Sequence, residues 1–423
     1  MAAPADHPQT LAERLITGTI TGTWLLWLVG GLYIAGPALG WLLAFLAFGQ
    51  IYLGRKSLSA VPATVWLWMA GMAAMLIILW IGHANFSLGT GQTIKSSIGW
   101  AKGWALIALF IFAGAVLDIR TEVLARAVCR LGMWTLLILP VFIVAPFIGL
   151  PETLWVSPLR IVGGSGPEYF AATLYTIEPG AGTPRWQFFA PWSPAAGMVA
   201  VIYIFIAAKE QQLAWKFVGI AGFLAIALLS QSRLALVAVA VIAPVVWASG
   251  KVGRAWLWWL GAPAVLFVGL FGMEIVSIIE GLAADFSSAR ADSSRVRAAL
   301  GRIALERWEN EAYWFGHGIV ENGPHLVEYM PIGSHHSWYG LLFVKGVLGA
   351  FALAVPLIAS LFLLARKAPG SALARTGFAL ILALVLYSFG ENLEILAYLY
   401  WPALILIGKS LAAGRGQPAA SSQ

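Results

Sequence analysis

Long apolar runs recur along almost the whole chain and set the strongest limit on its fold. Each run is close to the roughly 20 residues that a helix needs to cross the hydrocarbon core of a bilayer. None alternates polar and apolar residues as a barrel strand does, and a helix satisfies its own backbone groups in lipid. Because 60% of the residues are hydrophobic and only 11% are charged, the sequence predicts an all-α, polytopic membrane protein.

The runs predict about twelve transmembrane helices in a single integral membrane domain, residues 1–423. No internal repeat and no soluble domain is evident. The predicted spans are 20–36, 38–53, 62–82, 98–117, 131–150, 191–208, 214–230, 234–249, 255–273, 338–365, 376–390 and 393–409.

The distribution of Lys and Arg predicts the orientation, because these residues resist translocation. With the N-terminus in the cytoplasm, 15 of the 26 basic residues fall on the inner side. Five others share one long loop, and long loops escape the charge rule. Both termini are therefore predicted to be cytoplasmic, with a disordered tail at 410–423. The loops 151–190 and 274–337 are predicted to face outward.

Charge and cysteine usage exclude several classes of function. The net charge of +7 is explained by the inner basic rim, so nucleic-acid binding is not expected. The single cysteine, Cys129, rules out internal disulfides and CxxC metal sites. His317 and His325 lack the spacing of a zinc motif, so no metal is expected.

Three polar interruptions fall on the predicted outer face at headgroup depth: residues 230–233 (SQSR), the arginine-rich stretch 290–307 and residues 334–337 (SHHS). Residues 294–314 have helical spacing of apolar side chains, which predicts an amphipathic helix on the membrane with arginines toward the headgroups. Arginines beside a histidine pair suit chemistry on a phosphate-bearing lipid, so an enzyme is favoured over a channel.

Arg233, Arg295 and Arg297 are the candidate ligands for a pyrophosphate, with Ser232 and Arg302 in support. A guanidinium donates two parallel hydrogen bonds to phosphate oxygens and stabilises the charge that grows on a leaving group. The alternative for each arginine is a side chain that reaches lipid headgroups without specificity. Arg295 and Arg297 are two apart on a helix and cannot share a face, so which of them acts stays open.

His335 and His336 are the candidate catalytic residues, with Ser337 in support. A neutral imidazole can accept a proton from a sugar hydroxyl. Adjacent residues at the start of a helix point in different directions, so one is expected to act and the other to support it. The alternative is a pair of interfacial histidines bonded to backbone.

Together these patches resemble the O-antigen ligase and polysaccharide polymerase family. Residues 230–236 (SQSRLAL) are similar to the family's serine-arginine-led helix. The arginine-led helix that ends in a Gly-x-Gly turn corresponds to Arg297 through 316–318, so Gly316 and Gly318 are supporting residues. The closing motif corresponds to 335–342 (HHSWYGLL) followed by 346–349 (GVLG). Its spacing favours His335 as the family histidine, and its His-Ser pair favours His336.

The resemblance implies a metal-independent glycosyltransferase of the bacterial inner membrane, with no cofactor. Its donor would be a glycan on undecaprenyl pyrophosphate, held by Arg233 and Arg297 or Arg295. His335 would orient or deprotonate the acceptor hydroxyl, and displacement at the anomeric carbon would invert its configuration. The implied partners are this donor, an acceptor glycan or lipid A-core, membrane lipids and other polysaccharide assembly proteins.

Three functions remain open at this stage. We favour a polymerase of O-antigen, capsule or exopolysaccharide, because the histidine motif departs from the ligase-like His-Asn form. An O-antigen ligase that transfers the glycan to lipid A-core is the alternative. A transporter is the third, since Lys345, Glu391 and Glu394 are ionisable residues in or beside spans, but transporters usually show repeats.

Overall fold

The computed structural model describes residues 8–164, 166–178, 182–251 and 291–414, and most of them are helical. Short 3-10 turns cover Leu58–Ala60, Pro158–Val162, Pro167–Phe170 and His325–Val327. The α-helices of this part of the chain are α1 (Leu11–Thr21), α2 (Thr23–Leu28), α3 (Leu32–Tyr52), α4 (Ala63–Asn85), α5 (Thr90–Lys102), α6 (Trp104–Val116), α7 (Thr121–Val144), α8 (Ser193–Ala207), α9 (Leu213–Leu229), α10 (Arg233–Ser249), α11 (Ala291–Glu311), α12 (Ser337–Lys367), α13 (Ala372–Tyr387) and α14 (Leu393–Ala412).

Two small antiparallel hairpins lie in the loop between α7 and α8. Strand β1 (Thr153–Val156) pairs with β2 (Ala171–Thr173), and β3 (Thr176–Ile177) pairs with β4 (Pro184–Arg185). In the second hairpin Thr176 lies opposite Arg185. The loop predicted to face outward is therefore ordered by short strands where it is described.

Six helical segments are long and apolar enough to cross a membrane: α3, α4, α5 with α6, α7, α12 and α14. Four shorter apolar helices, α8, α9, α10 and α13, pack among them. The expectation of an all-α, multi-pass membrane protein is therefore confirmed, although this finding does not establish twelve spans. The predicted ninth span, 255–273, the first part of the outer loop from 274, and the tail from 415 lie outside the described residues.

The first two spans were predicted with wrong boundaries. The boundary between them was predicted at 36–38, but the chain turns at Gly30. The φ angle there is +68°, a conformation that glycine adopts more readily than other residues. A side chain at Gly30 would collide with Ser157, which lies in the loop between α7 and α8. Pro37 lies inside α3, where it removes only one early backbone bond. Helix α7 likewise begins at Thr121, ten residues before the predicted start.

Helix α14 forms the centre of the bundle, and nearly every residue from Leu396 to Leu411 is buried. Its closest partner is α6. A side chain at Gly114 would overlap the carbonyl oxygen of Ile405, and one at Gly408 would overlap that of Ile111. Small residues thus allow the two backbones to approach closely, as is usual where lipid supplies no hydrophobic drive between helices.

Ion pairs and lysine–carbonyl bonds join the helices at one end of the bundle. Arg120 contacts Glu13 at 2.8 Å, and Arg126 contacts Glu210 at 2.7 Å. Lys367 donates to the carbonyl of Leu411 at 2.7 Å. This is the end that the charge distribution predicts to be cytoplasmic. The two hairpins, α11 and the start of α12 lie toward the other end.

Helix α12 is broken at Gly346, where φ is +63° and ψ is −168°. The segment 313–318 supplies hydrogen bonds at this break. The amides of His317 and Gly318 donate to the carbonyls of Phe343 and Val344 at 2.9 Å. The amide of Val347 donates to the carbonyl of Tyr313 at 2.9 Å. Backbone groups freed by the break are therefore satisfied within the protein, as membrane depth requires.

Helix α11 confirms the predicted helix at 294–314 but corrects its surroundings. Its apolar side chains, among them Val296, Leu300 and Ala304, are buried against Val327 and Phe343. They were expected to lie on the membrane, and instead they pack on the protein's own α12 and the loop before it. Glu311, the last residue of α11, bonds Arg307 and His317.

Candidate functional site

Two cavities meet at the start of α12. The larger has a volume of about 550 Å³ and the smaller about 220 Å³. Residues 333–335 line both of them. Arg297 and His336 line the smaller cavity, whereas the larger one carries charged and aromatic residues from several elements. The residues that line the larger cavity include Lys95, Trp104, Glu168, Tyr169, Trp192, Lys345 and Glu394.

His335 lies in this shared wall and is half-buried. Its Nδ1 atom is buried and has no hydrogen-bond partner among the described residues, and the same holds for the Ser334 hydroxyl. Burial, with a smaller contribution from the positive charge of Arg297, lowers the pKa of His335 to about 4. The imidazole is therefore neutral at pH 7, and one of its ring nitrogens makes no bond to the residues that the structure describes.

His336 has a different environment. Its Nδ1 accepts a hydrogen bond from the amide of Tyr339 at 3.3 Å and so caps the N-terminus of α12. Its ring stacks on that of Tyr339, with centroids 3.9 Å apart. Burial lowers the pKa of His336 to about 4 as well. His336 thus caps a helix, whereas His335 has a ring nitrogen that bonds no described residue. This difference favours His335 as the catalytic member of the predicted pair.

The histidine loop is fixed to α12 and to the turn before α14. Gly333 has φ of +78° and packs so tightly on Gly340 that neither position has room for a side chain. The hydroxyl of Ser337 donates to the carbonyl of Glu391 at 2.8 Å and accepts from the amide of Leu393 at 2.9 Å. Ser337 therefore supports the site by joining the helix starts of α12 and α14.

The structure separates the three arginines of α11 that were predicted to bind or support. Arg297 lines the smaller cavity and makes no hydrogen bond or ion pair with any described residue. Its charge acts on His335 and on Glu391. All three arginines are exposed, but Arg295 and Arg302 line neither cavity. This geometry favours Arg297 over Arg295 as the residue that faces the site.

Arg233 is the first residue of α10 and is half-buried, but it lines neither cavity. Its neighbour Leu234 packs against Gly390, which lines the smaller cavity. Ser232 is buried, and its hydroxyl would collide with a side chain at Gly197. The predicted serine-arginine segment is thus beside the smaller cavity rather than in its wall.

The backbone before Arg233 is held by the second hairpin. Gln231 has φ of +51°, a conformation that is uncommon for a residue other than glycine. The guanidinium of Arg185 donates to the carbonyl of Ser230 at 3.3 Å and contacts Glu178 at 2.8 Å. Arg185 lies 45 residues from Ser230 in sequence, so its contact with this break is a tertiary one.

Gly316 and Gly318 have an architectural role. Both have positive φ, +65° and +79°, and both fit tightly against neighbouring backbone. Gly316 packs on the break in α12, and Gly318 packs on His83 of α4. Neither lines a cavity, so the predicted supporting role consists of holding the segment 313–318 in the broken helix.

Glu391 is a site residue that sequence reasoning recognised only as part of a polar turn. It is almost fully buried, and its Oε2 accepts a hydrogen bond from the indole of Trp192 at 3.0 Å. Burial raises its pKa to about 7, while the charge of Arg297 and the bond from Trp192 oppose that rise. The signal available in the sequence was an acidic residue between two apolar spans, because ionisable residues in such positions are rare without a function.

Lys345 and Glu394 were noted only as ionisable residues in or beside spans, and both line the larger cavity. Among the described residues, no group of three or more His, Cys, Asp or Glu side chains is arranged to hold a metal ion.

No protein-family model matches this chain. A search of curated proteins also finds no match. The resemblance drawn from the motifs therefore stays a prediction.

Proposed function

We propose that this protein is a glycosyltransferase that moves a glycan from a polyprenyl pyrophosphate, undecaprenyl pyrophosphate in bacteria, to an acceptor hydroxyl. The observation that carries the proposal is the position of His335, with an unbonded ring nitrogen, in the wall common to two cavities. One cavity offers a guanidinium and the other offers polar and aromatic side chains. Such an arrangement suits a donor and an acceptor that meet at one residue.

In the proposed reaction the donor's pyrophosphate lies in the smaller cavity beside Arg297, and the acceptor hydroxyl comes from the larger one. The hydroxyl oxygen attacks the anomeric carbon, and the bond between that carbon and the phosphate oxygen breaks. Negative charge grows on the departing pyrophosphate, where a guanidinium stabilises it. The acceptor's proton passes toward His335, and the anomeric configuration inverts.

The low pKa of His335 fits an orienting role in the free enzyme. A neutral imidazole accepts a hydrogen bond from the hydroxyl and so positions the nucleophile. When the negatively charged pyrophosphate binds nearby, it raises the pKa of the imidazole, because an adjacent anion favours the protonated form. The base therefore strengthens only when the donor is present.

Arg233 is proposed to contact the polyprenyl pyrophosphate from α10, beside the smaller cavity. Its place at the first turn of a helix supports this role, since helix N-termini favour anions. Arg295 is proposed to meet lipid headgroups, because it is exposed on α11 and lines neither cavity.

Polymerisation of lipid-linked repeat units at the outer face of the bacterial inner membrane is the version of this function that we favour. The larger cavity supports it, because about 550 Å³ lies within the range of small-ligand sites. Ligation to lipid A-core is the alternative and uses the same residues.

The test is glycan analysis in a deletion strain complemented with the wild-type chain or with His335→Ala. Single repeat units that accumulate on the lipid carrier, without long chains, indicate a polymerase. Full-length chains stranded on the carrier beside unmodified lipid A-core indicate a ligase. The proposal fails if neither pool changes, or if His335→Ala restores wild-type product at equal protein level.

A further inference from the structure

A cleft at the opposite end of the bundle is not used by the proposed reaction. It has a volume of about 410 Å³ and lies between the C-terminal ends of α8 and α10 and the N-terminal turn of α13. Three basic residues from these three elements line it, namely Lys209, Lys251 and Arg375. No acidic residue is among its described lining residues.

Two of the basic side chains, Lys209 and Arg375, are held in place by hydrogen bonds to backbone carbonyls. Lys209 donates to the carbonyl of Ala372 at 3.2 Å, and Arg375 donates to that of Ala368 at 3.0 Å. The ammonium of Lys251 lies 3.9 Å from the ring centroid of Trp247. The carbonyls that Lys209 and Arg375 contact are neutral groups. The cleft therefore collects positive charge at fixed positions.

The acid nearest in sequence is already paired elsewhere. Glu210 follows Lys209 but accepts two hydrogen bonds from Arg126, at 2.7 and 2.8 Å. Burial lowers the pKa of Lys209, and the charges of Arg375 and Lys216 lower it further. Like charges gathered in one cleft repel one another, and a bound anion would relieve that repulsion.

The rest of the cleft is apolar. Phe205, Val246 and Trp247 line it, and Trp247 is half exposed on the outer surface of α10. Gly250 lies against the side chain of Arg375, whose Cδ would be 3.0 Å from an added Cβ, so the guanidinium stem packs directly on the backbone of α10. A ligand that fits must combine an anionic group with hydrocarbon.

We propose that this cleft binds one anionic phospholipid, with its phosphate between Lys209 and Arg375 and its acyl chain along Val246 and Trp247. A guanidinium forks onto phosphate oxygens, and the N-terminus of α13 adds a favourable dipole. The site lies at the end that the charge distribution predicts to be cytoplasmic, where basic residues meet anionic lipid. It is independent of the glycosyltransferase proposal.

The test is titration of the full chain in neutral detergent with phosphatidylglycerol, read by native mass spectrometry, with phosphatidylcholine in parallel. Lys209→Gln and Arg375→Gln should each weaken phosphatidylglycerol binding by about fivefold, since one basic residue near an anionic lipid contributes about 1 kcal/mol. Arg375→Lys keeps the charge and should lose less than Arg375→Gln. Arg55→Gln is the matched control, because Arg55 is exposed at the same end and outside the cleft.

Binding of phosphatidylglycerol over phosphatidylcholine, with losses confined to the two cleft variants, supports the site. Equal loss in Arg55→Gln would show diffuse attraction to the basic rim and would overturn it. Equal binding of the two lipids would also overturn it. Displacement of the lipid by millimolar inorganic phosphate would mean a site for free anions, which contradicts the lipid assignment. Thermal unfolding of each variant identifies any loss caused by misfolding, and Lys209→Gln remains informative if Arg375→Gln fails to fold.

Discussion

Arg297 and Arg307 lie ten residues apart on α11, and their surroundings are opposite. Arg307 donates three hydrogen bonds to Glu311, at 2.8, 3.0 and 3.1 Å, and one from another nitrogen to Glu321 at 2.6 Å. Its guanidinium also lies 5.1 Å from the ring centroid of Phe343. Arg297 has no such carboxylate contact among the described residues. One arginine is fully engaged within the protein, and the other faces a cavity.

This difference distinguishes an arginine that stabilises the fold, Arg307, from one that is proposed to bind a ligand, Arg297. The bonds from Arg307 and His317 lower the pKa of Glu311 to about 2, and those carboxylates raise the pKa of Arg307. His317 contacts Glu311 at 2.8 Å and the carbonyl of Phe343 at 2.9 Å, so this network ties α11 to the break in α12. The donors of Arg297 are not used by any described residue, which leaves them for the ligand proposed above.

The largest expected effect concerns the two histidines. His335→Ala should lower the rate of product formation by about 10²- to 10⁴-fold, because it removes the proposed proton acceptor. His336→Asn should retain most activity, since asparagine can also cap a helix N-terminus. Both are measured as the rate of glycan transfer at matched protein level. A larger loss in His336→Asn than in His335→Ala would reverse the assignment.

Arg297→Ala is expected to have the next largest effect. It should slow transfer by about 10²- to 10³-fold, because one charged donor to the leaving group is lost. The thermal midpoint should stay near that of the wild type, since Arg297 makes no bond to a described residue. Arg160→Ala removes an exposed arginine from the other outer loop and serves as the control. Equal loss in both variants would indicate a general effect of charge.

Arg307→Met should show the opposite pattern. The network is about one-third exposed, so its loss should destabilise the fold by about 1 kcal/mol. This is measured as a lower thermal midpoint in detergent, with a smaller effect on the transfer rate of the folded enzyme. If Arg307→Met abolishes transfer without lowering the midpoint, the division between a fastening and a binding arginine is wrong.

The smallest expected effect is one of pH. Since the pKa of His335 is lowered to about 4, kcat/KM should not fall with a midpoint near 6.5 as the pH is lowered from 8 to 5. The stability that depends on neutral His335 is present above pH 6.5 and is lost as the pH falls toward about 4. Any change of kcat/KM with a midpoint near pH 7 should disappear in Glu391→Gln, because burial raises the pKa of Glu391 to about 7. A step near 6.5 that persists in this variant would contradict the environment of His335.

The sequence predicted helices well and their ends less well. Apolar length located α4, α8, α9, α10, α12 and α14 to within a few residues. The apolar pattern failed where a helix contains a polar residue that is buried because it pairs with a residue far along the chain. Helix α1 begins at Leu11 after a capping box formed by Thr10 and Glu13, and Glu13 is buried beside its partner Arg120. Helix α7 extends over Arg126, which pairs with Glu210. Such pairings are not visible in a local pattern.

The sequence alone determined that this chain is a membrane protein and which side chains are available for chemistry. Apolar runs require helices in a bilayer, and the polar interruptions contain the histidines and arginines of the candidate site. Only the tertiary structure distinguished between adjacent residues of the same type, because backbone bonds and packing decide their environments. His336 caps a helix, whereas Nδ1 of His335 bonds no described residue. Helix α11 places Arg297 at the cavity and Arg307 beside carboxylates.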